Sequence, residues 1–111
     1  MKLETLLEKQ KQLDFFIINT NNLHELDSKV RLTNTTLAMM VEVAELANEI
    51  RSFKHWSKKP MSDKDVVIDE YVDVLHFFLS IANQLGFTSE DIEQAYNRKN
   101  KVNFERQING Y

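Results

Sequence analysis

The sequence predicts an all-α protein, specifically an antiparallel four-helix bundle, and three observations support this prediction. Glycine and proline, which strands joined by tight turns require, occur only at Gly86, Gly110 and Pro60. Apolar residues recur at helical spacing in four segments that polar connectors separate. The length of 111 residues suits one domain, residues 1–111, with a single core.

The composition argues against several classes of function. The formal net charge is only −3, so bulk electrostatics does not favour a nucleic acid as partner. The sequence contains no cysteine, which excludes disulfides and thiol chemistry. The first residues lack an apolar signal core, and no apolar run reaches membrane-spanning length. We therefore expect a cytoplasmic protein that does not bind a membrane.

The first helix is expected over residues 2–18, and Gln10 interrupts its apolar stripe. An amide in such a stripe is most often a hydrogen-bonded core residue. It could instead face a ligand, because an amide carries both a donor and an acceptor, as the reading of a base edge requires. The residues by themselves favour the core interpretation. A polar connector at 19–28 follows, with Asp27 or Ser28 as the cap of the next helix.

The second helix is expected over residues 29–53, and three carboxylates lie beside its apolar face. They are spaced i, i+3, i+7 and are Glu42, Glu45 and Glu49. An isolated Glu-x-x-Glu pair is usually part of a solvated face, so this stripe is weak evidence for a site when it is taken alone.

The connector from Phe53 to Pro60 contains Trp56, which is the only tryptophan, and three lysines. The indole ring could close one end of the bundle while the lysines keep the connector soluble. Alternatively, the ring stacks on a planar ligand and a lysine such as Lys54 binds its phosphates. The residues favour neither interpretation.

The third helix is expected to begin after Ser62, where Ser62 and Asp65 form a capping-box pattern. It should end near Leu85, because the following Gly86 is a typical helix stop.

The third helix also carries a second carboxylate pair, Glu70 and Asp73, at spacing i, i+3. Both pairs lie within apolar periodicity, so four carboxylates should point towards the core. They cannot all stay ionised there without positive charge, and neither apolar stripe contains a basic residue. Hard oxygen ligands favour Mg²⁺, as two ions, over zinc or copper. His76 could be a further ligand, but the favoured interpretation is a hydrogen bond from its ring to one of these carboxylates.

The fourth helix is expected to begin after Thr88, with Asp91 completing a second capping-box pattern. Its inward face then becomes polar, with donors at Lys99, Asn103 and Arg106. Basic residues are common at helix C-termini. The alternative is a phosphate clamp, since arginine offers a fork, lysine a point charge and asparagine a neutral donor.

Together these features indicate a metal-dependent site for a phosphorylated ligand with a planar ring. A di-iron carboxylate bundle is a second interpretation, but it requires Glu-x-x-His on each of two helices. Only Asp73 with His76 approximates that pattern, and Asn48 stands where a second histidine is needed. A non-catalytic helical interaction module would explain the amphipathic helices but not the inward carboxylates.

The motifs Glu42-x-x-Glu45 and Glu70-x-x-Asp73 resemble the all-α NTP pyrophosphatase superfamily, which includes MazG-type enzymes and the dimeric dUTPases. Further stretches are similar to the dimeric dUTPase branch. They are 10–14 on the first helix, 46–49 and 53–60 around the tryptophan connector, 69–77 on the third helix, and 99–103, 106–107 and 110–111 at the C-terminus. The resemblance spans nearly the whole sequence, and its connector and C-terminal motif are more specific than its acidic motifs.

The resemblance implies a dUTP diphosphatase that hydrolyses dUTP to dUMP and pyrophosphate with Mg²⁺, for nucleotide pool sanitation. It also implies a homodimer, and it makes dUDP a further candidate substrate. The alternative is a MazG-like pyrophosphatase of other or broad base specificity. The implied metal ligands are Glu42, Glu45, Glu70 and Asp73.

The remaining roles follow from the same resemblance. Glu45 would orient or deprotonate the attacking water, with Glu49 as the alternative. The base would be bound by Gln10 and Trp56. The phosphates would be bound by Lys54, Lys99, Asn103, Arg106 and Tyr111.

Overall fold

The computed structural model describes residues 1–110, which form four α-helices and contain no strand. The helices are α1 (Leu3–Thr20), α2 (Ser28–Ile50), α3 (Lys64–Leu85) and α4 (Ser89–Ile108). The all-α prediction with four helices is therefore confirmed. No helix within 1–110 is long and apolar enough to cross a membrane. The prediction for Tyr111 lies outside the described residues.

Most of the predicted helix ends agree with the structure. The Asp27 side chain accepts hydrogen bonds from the backbone N–H groups of Lys29 and Val30, at 3.1 and 3.3 Å. Thr88 and Asp91 form the predicted reciprocal capping box at the start of α4. Each of these bonds satisfies a backbone N–H that has no partner within its own helix.

The end of α2 differs from the prediction. We expected α2 to reach Phe53, but it ends at Ile50 because Arg51 adopts the left-handed conformation, with φ of 67°. The Arg51 N–H donates to the carbonyl of Ala47 at 2.8 Å, which closes the last turn. The connector between α2 and α3 therefore begins at Arg51.

The start of α3 also differs. The predicted capping box of Ser62 and Asp65 is wrong, because α3 begins at Lys64 and Asp63 occupies the cap position without a side-chain hydrogen bond. The Ser62 hydroxyl instead donates to the carboxylate of Glu49 in the last turn of α2. A hydroxyl that was expected to cap α3 thus joins the connector to α2.

α3 is the central helix of the chain. It packs against α2 and against α1, and α1 also contacts α4. In residues 1–110, α4 packs closely against neither α2 nor α3. The most deeply buried apolar residues are Leu7, Leu79 and Ala82, so the core lies where α1 meets α3.

Much apolar surface remains exposed in the single chain. Its accessible area is 8946 Å², whereas a compact protein of this mass exposes about 6,400 Å². The radius of gyration is 17.3 Å, compared with about 13 Å for a compact domain of this length. Exposed side chains include Phe16, Met40, Tyr71 and Phe104.

Candidate functional site

α2 and α3 bring carboxylates from both helices together. Thr35 near the start of α2 bonds to Gln84 near the end of α3, so the two helices run antiparallel. Glu42 and Glu45 therefore lie beside Glu70, and one carboxylate oxygen from each of the three falls within 4.8 Å of the others. We call these three residues the acidic cluster.

Asp73 is the fourth predicted metal ligand. It lies outside the 4.8 Å group, but its charge contributes to raising the pKa of both Glu42 and Glu70. Asp73 is therefore a neighbour of the acidic cluster, as its i, i+3 spacing from Glu70 requires.

The electrostatics of the acidic cluster disfavour its ionised form. Desolvation by partial burial raises the pKa of Glu42, and its hydrogen-bonding contact with Glu45 and the neighbouring charges raise it further. Desolvation also raises the pKa of Glu70, followed by the charges of Glu45, Asp73 and Glu49. Like charges held at this separation need a positive partner if all are to be ionised near neutral pH.

Within residues 1–110, two oxygens of the acidic cluster are buried without a hydrogen-bond partner, namely Oε2 of Glu42 and Oε2 of Glu70. Buried carboxylate oxygens usually accept at least one hydrogen bond. Unpartnered oxygens beside further carboxylates form the hard-oxygen donor set that a divalent cation prefers. The residues present therefore fit such a cation.

Glu49 lies one turn beyond Glu45 on α2 and is held by the connector. The Ser62 hydroxyl donates to its Oε2 atom, and the Ser62 backbone N–H donates to its carbonyl oxygen at 3.0 Å. Glu49 is half-buried. Because its charge contributes to raising the pKa of Glu70, Glu49 lies at the edge of the acidic cluster.

A second polar group, which we call the amide cluster, joins α1 to α3 and consists of Gln10, Asp14, His76 and Ser80. Gln10 is only 5% exposed, and its Nε2 donates to Oδ1 of Asp14 at 2.9 Å. Nδ1 of His76 lies 2.6 Å from Oε1 of Gln10 and therefore donates to it. The Ser80 hydroxyl donates to Oδ2 of Asp14 at 2.6 Å.

The amide cluster corrects one expectation. His76 was expected to bond to a carboxylate of the acidic motifs, but its ring donates to the Gln10 amide. Asp14 and Ser80 were not predicted as partners. The available signal was the matched i, i+4 spacing of Gln10 with Asp14 and of His76 with Ser80, which places each pair on one helix face.

Next to the amide cluster lies a cleft of about 280 Å³ between α1, α2 and α3. Its polar side includes Asp14, Ser80 and Gln84, and Nε2 of Gln84 donates to Ser80 at 3.1 Å and to Thr35 at 2.9 Å. Gln10 does not line this cleft. Along α2, Thr35 precedes Glu42 by about two turns, roughly 10 Å. The cleft and the acidic cluster therefore both lie along α2 and α3.

The connector presents Trp56 to solvent. The indole is 68% exposed and contacts the rings of Phe53 and His55 edge to face, with centroids 6.3 and 5.0 Å away. It does not close an end of the bundle within this chain. Nζ of Lys54 lies 5.6 Å from the centre of the Phe53 ring.

The predicted phosphate-binding residues of α4 are not brought to the acidic cluster by the single chain. Lys99, Asn103 and Arg106 are exposed. Among the described helices, α4 makes no close contact with α2, and Lys99 lines a cleft with Phe78 of α3 rather than lying beside the carboxylates of α2.

The fold and the acidic cluster define an all-α protein with carboxylates converging between two antiparallel helices. A family model described as dUTPase matches residues 2–86 and 78–111, and the chain belongs to this dUTPase family. The resemblance found in the sequence is thereby confirmed.

The chain is also similar to the dCTP pyrophosphatase of Enterobacteria phage T4. The two are 33% identical over 98 residues, which covers 78% of this chain and 56% of that protein. The chain thus spans little more than half the length of this relative.

Proposed function

We propose that this protein is a pyrophosphohydrolase that converts dUTP to dUMP and pyrophosphate with Mg²⁺. The observation that carries this proposal is the acidic cluster, with its buried and unpartnered carboxylate oxygens, in a member of the dUTPase family. Carboxylates that raise one another's pKa oppose folding unless a ligand of opposite charge compensates them. A bound cation would compensate the negative charges of these carboxylates.

The metal ligands in this proposal are the three residues of the acidic cluster and Asp73, and four carboxylates suit two Mg²⁺ ions. When bound, the metal would supply positive charge for the triphosphate oxygens. Glu45 is exposed whereas Glu42 and Glu70 are half-buried, so Glu45 is the member most open to water. We assign the orientation and deprotonation of the attacking water to Glu45, with Glu49 as the alternative.

The proposal includes a homodimer. The chain exposes roughly 2,500 Å² more surface than a compact monomer of its mass would. This excess is of the order that each subunit of an obligate dimer buries. Exposed aromatic side chains on separate helices, such as Phe16 on α1 and Phe104 on α4, are suited to such an interface.

A dimer would also account for the distance between α4 and the acidic cluster. We propose that Lys54, Lys99, Asn103 and Arg106 bind the phosphates, and that α4 contributes its residues to a site shared with a second copy. Arginine would bind phosphate oxygens in a bidentate manner, and lysine would add a point charge. Tyr111 is assigned the same role from the resemblance.

For the base, we propose contacts with Trp56 and Gln10. The exposed face of Trp56 is available for stacking, which contributes about 1–3 kcal/mol per base in comparable sites. Gln10 retains one amide N–H after its bond to Asp14, so it keeps a donor for a base edge. Its near-complete burial means that the base would have to approach along α1 and α3.

A MazG-like pyrophosphatase of different base specificity is the second candidate, and Asp14 favours it. Its carboxylate lines the cleft and can only accept hydrogen bonds. Cytosine presents an amino donor where uracil presents a carbonyl oxygen, so a carboxylate matches cytosine better. The similarity to a dCTP pyrophosphatase also supports this candidate.

The experiment that tests both candidates measures product release from dUTP, dUDP, dCTP, dTTP and UTP, each with Mg²⁺ and with excess chelator. Chelator-sensitive turnover confined to deoxyuridine nucleotides would support the dUTP proposal. Turnover of dCTP at a comparable rate would support the second candidate, and Asp14→Asn should then shift preference towards dUTP. Absence of turnover of every nucleotide by folded protein would contradict both.

A further inference from the structure

The connector between α2 and α3 is anchored to the helix that it leaves. Ser62, near its end, bonds to Glu49 in the last turn of α2 through both its backbone N–H and its hydroxyl group. Glu49 lies thirteen positions before Ser62. The two bonds between them therefore fix how the connector folds back onto α2.

The connector is also ordered along its length. The Arg51 guanidinium donates from Nη2 to the Ser57 hydroxyl at 3.3 Å and from Nε to the Lys59 carbonyl at 3.4 Å. The backbone turns at Lys54 and Ser57 through hydrogen bonds of 3.0 and 2.9 Å. The segment that carries Lys54 and Trp56 is therefore ordered by its own hydrogen bonds, and the Ser62–Glu49 contact fixes its end to α2.

The Ser62 hydroxyl bond acts on the carboxylate of Glu49, which lies beside the acidic cluster. Glu49 is close enough to Glu70 for its charge to affect that residue, so repulsion favours rotation of the Glu49 side chain towards solvent. The hydrogen bond donated by Ser62 opposes this rotation. Serine has a single hydroxyl proton, so the bond occupies Oε2 and leaves Oε1 with its full acceptor capacity.

We infer that Ser62 is a positioning residue: its hydroxyl holds the Glu49 carboxylate beside the acidic cluster and couples that orientation to the placement of the connector with Lys54 and Trp56. This inference rests on the proposed function, because it gives Ser62 a role in turnover through Glu49. The same hydroxyl is the group that the sequence pattern assigns to a helix cap.

The test compares Ser62→Ala with Ser62→Thr, which keeps a hydroxyl. Loss of a group that orients a neighbour of a metal site lowers activity by about tenfold or more. We expect Ser62→Ala to lower kcat by about tenfold while KM for dUTP stays within about twofold, and Ser62→Thr to restore most of the rate. Ser52→Ala is the matched control, because Ser52 is exposed in the same connector.

Two readouts do not require turnover. Acrylamide quenching of Trp56, the only tryptophan, should increase in Ser62→Ala and remain unchanged in Ser62→Thr and Ser52→Ala. Calorimetric titration with Mn²⁺ should give the same affinity for all three variants, because Glu49 is not one of the proposed metal ligands.

The inference is overturned if Ser62→Ala retains wild-type kcat, or if Ser62→Thr loses as much activity as Ser62→Ala. Equal quenching of Trp56 in all variants would also overturn the coupling to the connector. These results differ from a failure of the proposed function, in which the folded wild-type protein itself turns over no nucleotide.

Discussion

Two polar groups lie along α3 about two turns apart, and they differ in how their polar atoms are satisfied. In the amide cluster, Gln10 and Asp14 each pair with named partners on α1 and α3, at 2.6–2.9 Å. In the acidic cluster, one oxygen each of Glu42 and Glu70 is buried and has no hydrogen-bond partner among the described residues, 1–110. The members of the first group are hydrogen-bonded to one another, whereas the second group has buried oxygens that are open to a bound ligand.

This difference separates a group whose members hold two helices together from a group that depends on an outside partner. A network whose polar atoms are hydrogen-bonded to one another favours one arrangement of the helices. Removal of one member should lower the free energy of unfolding. A group of like charges without partners destabilises the folded state, and such groups are typical of functional sites. The following variants should therefore change different quantities in the two clusters.

The largest effect is expected for catalysis by the acidic cluster. Glu45→Gln keeps the shape of the side chain but removes its basicity, and we expect kcat to fall by roughly 100-fold to 10,000-fold. Steady-state kinetics with the best nucleotide would measure this change. Glu93→Gln, on the exposed surface of α4, is the control and should retain wild-type kcat. A Glu45→Gln enzyme with more than a third of wild-type activity would contradict the assignment.

The next effect concerns the stability of the amide cluster. Gln10→Leu leaves Nδ1 of His76 and Oδ1 of Asp14 without their partner, so the free energy of unfolding should fall by about 1–3 kcal/mol. Chemical denaturation would measure it, with Gln12→Leu on the exposed side of α1 as the control. Unchanged stability in Gln10→Leu would mean that the amide cluster does not hold α1 on α3.

The acidic cluster should show a pH dependence in metal-free protein. Because the pKa of Glu42 and of Glu70 is raised above 4.5 in the folded state, the folded chain binds protons more tightly than the unfolded chain. The free energy of unfolding should therefore decrease as the pH rises from about 4.5 through the raised pKa values.

Glu42→Gln removes one charge from the cluster and should flatten this decrease, making the metal-free variant more stable than wild type at neutral pH. Denaturation in excess chelator at several pH values would measure the slope. A wild-type stability that rises over the same range would show that these carboxylates are already compensated within the chain.

The sequence was sufficient to predict what depends on local periodicity. Helical spacing gave the four helices, and i, i+3 spacing gave the convergence of Glu42, Glu45 and Glu70 once α2 and α3 were taken as antiparallel. Local caps at Asp27 and Thr88 were likewise predictable, because their partners lie within three residues.

The contacts that were missed depend on distant partners. Ser62 has a complete capping pattern with Asp65, yet its hydroxyl bonds to Glu49, whose proximity arises only when the connector folds back. His76 bonds to Gln10, which lies 66 positions earlier and becomes a neighbour only when α1 packs on α3. The environment of α4 depends in our proposal on a second copy, which one sequence does not position.

The most direct test of the central claim is a calorimetric titration of Mg²⁺ into metal-free protein at neutral pH. The acidic cluster predicts saturable binding by the wild type, retained by Glu93→Gln and lost in the double variant Glu42→Gln/Glu70→Gln, which should remain folded. Binding of equal affinity by the double variant, or no binding by the folded wild type, would contradict the claim that the unpartnered carboxylates of α2 and α3 form a metal site.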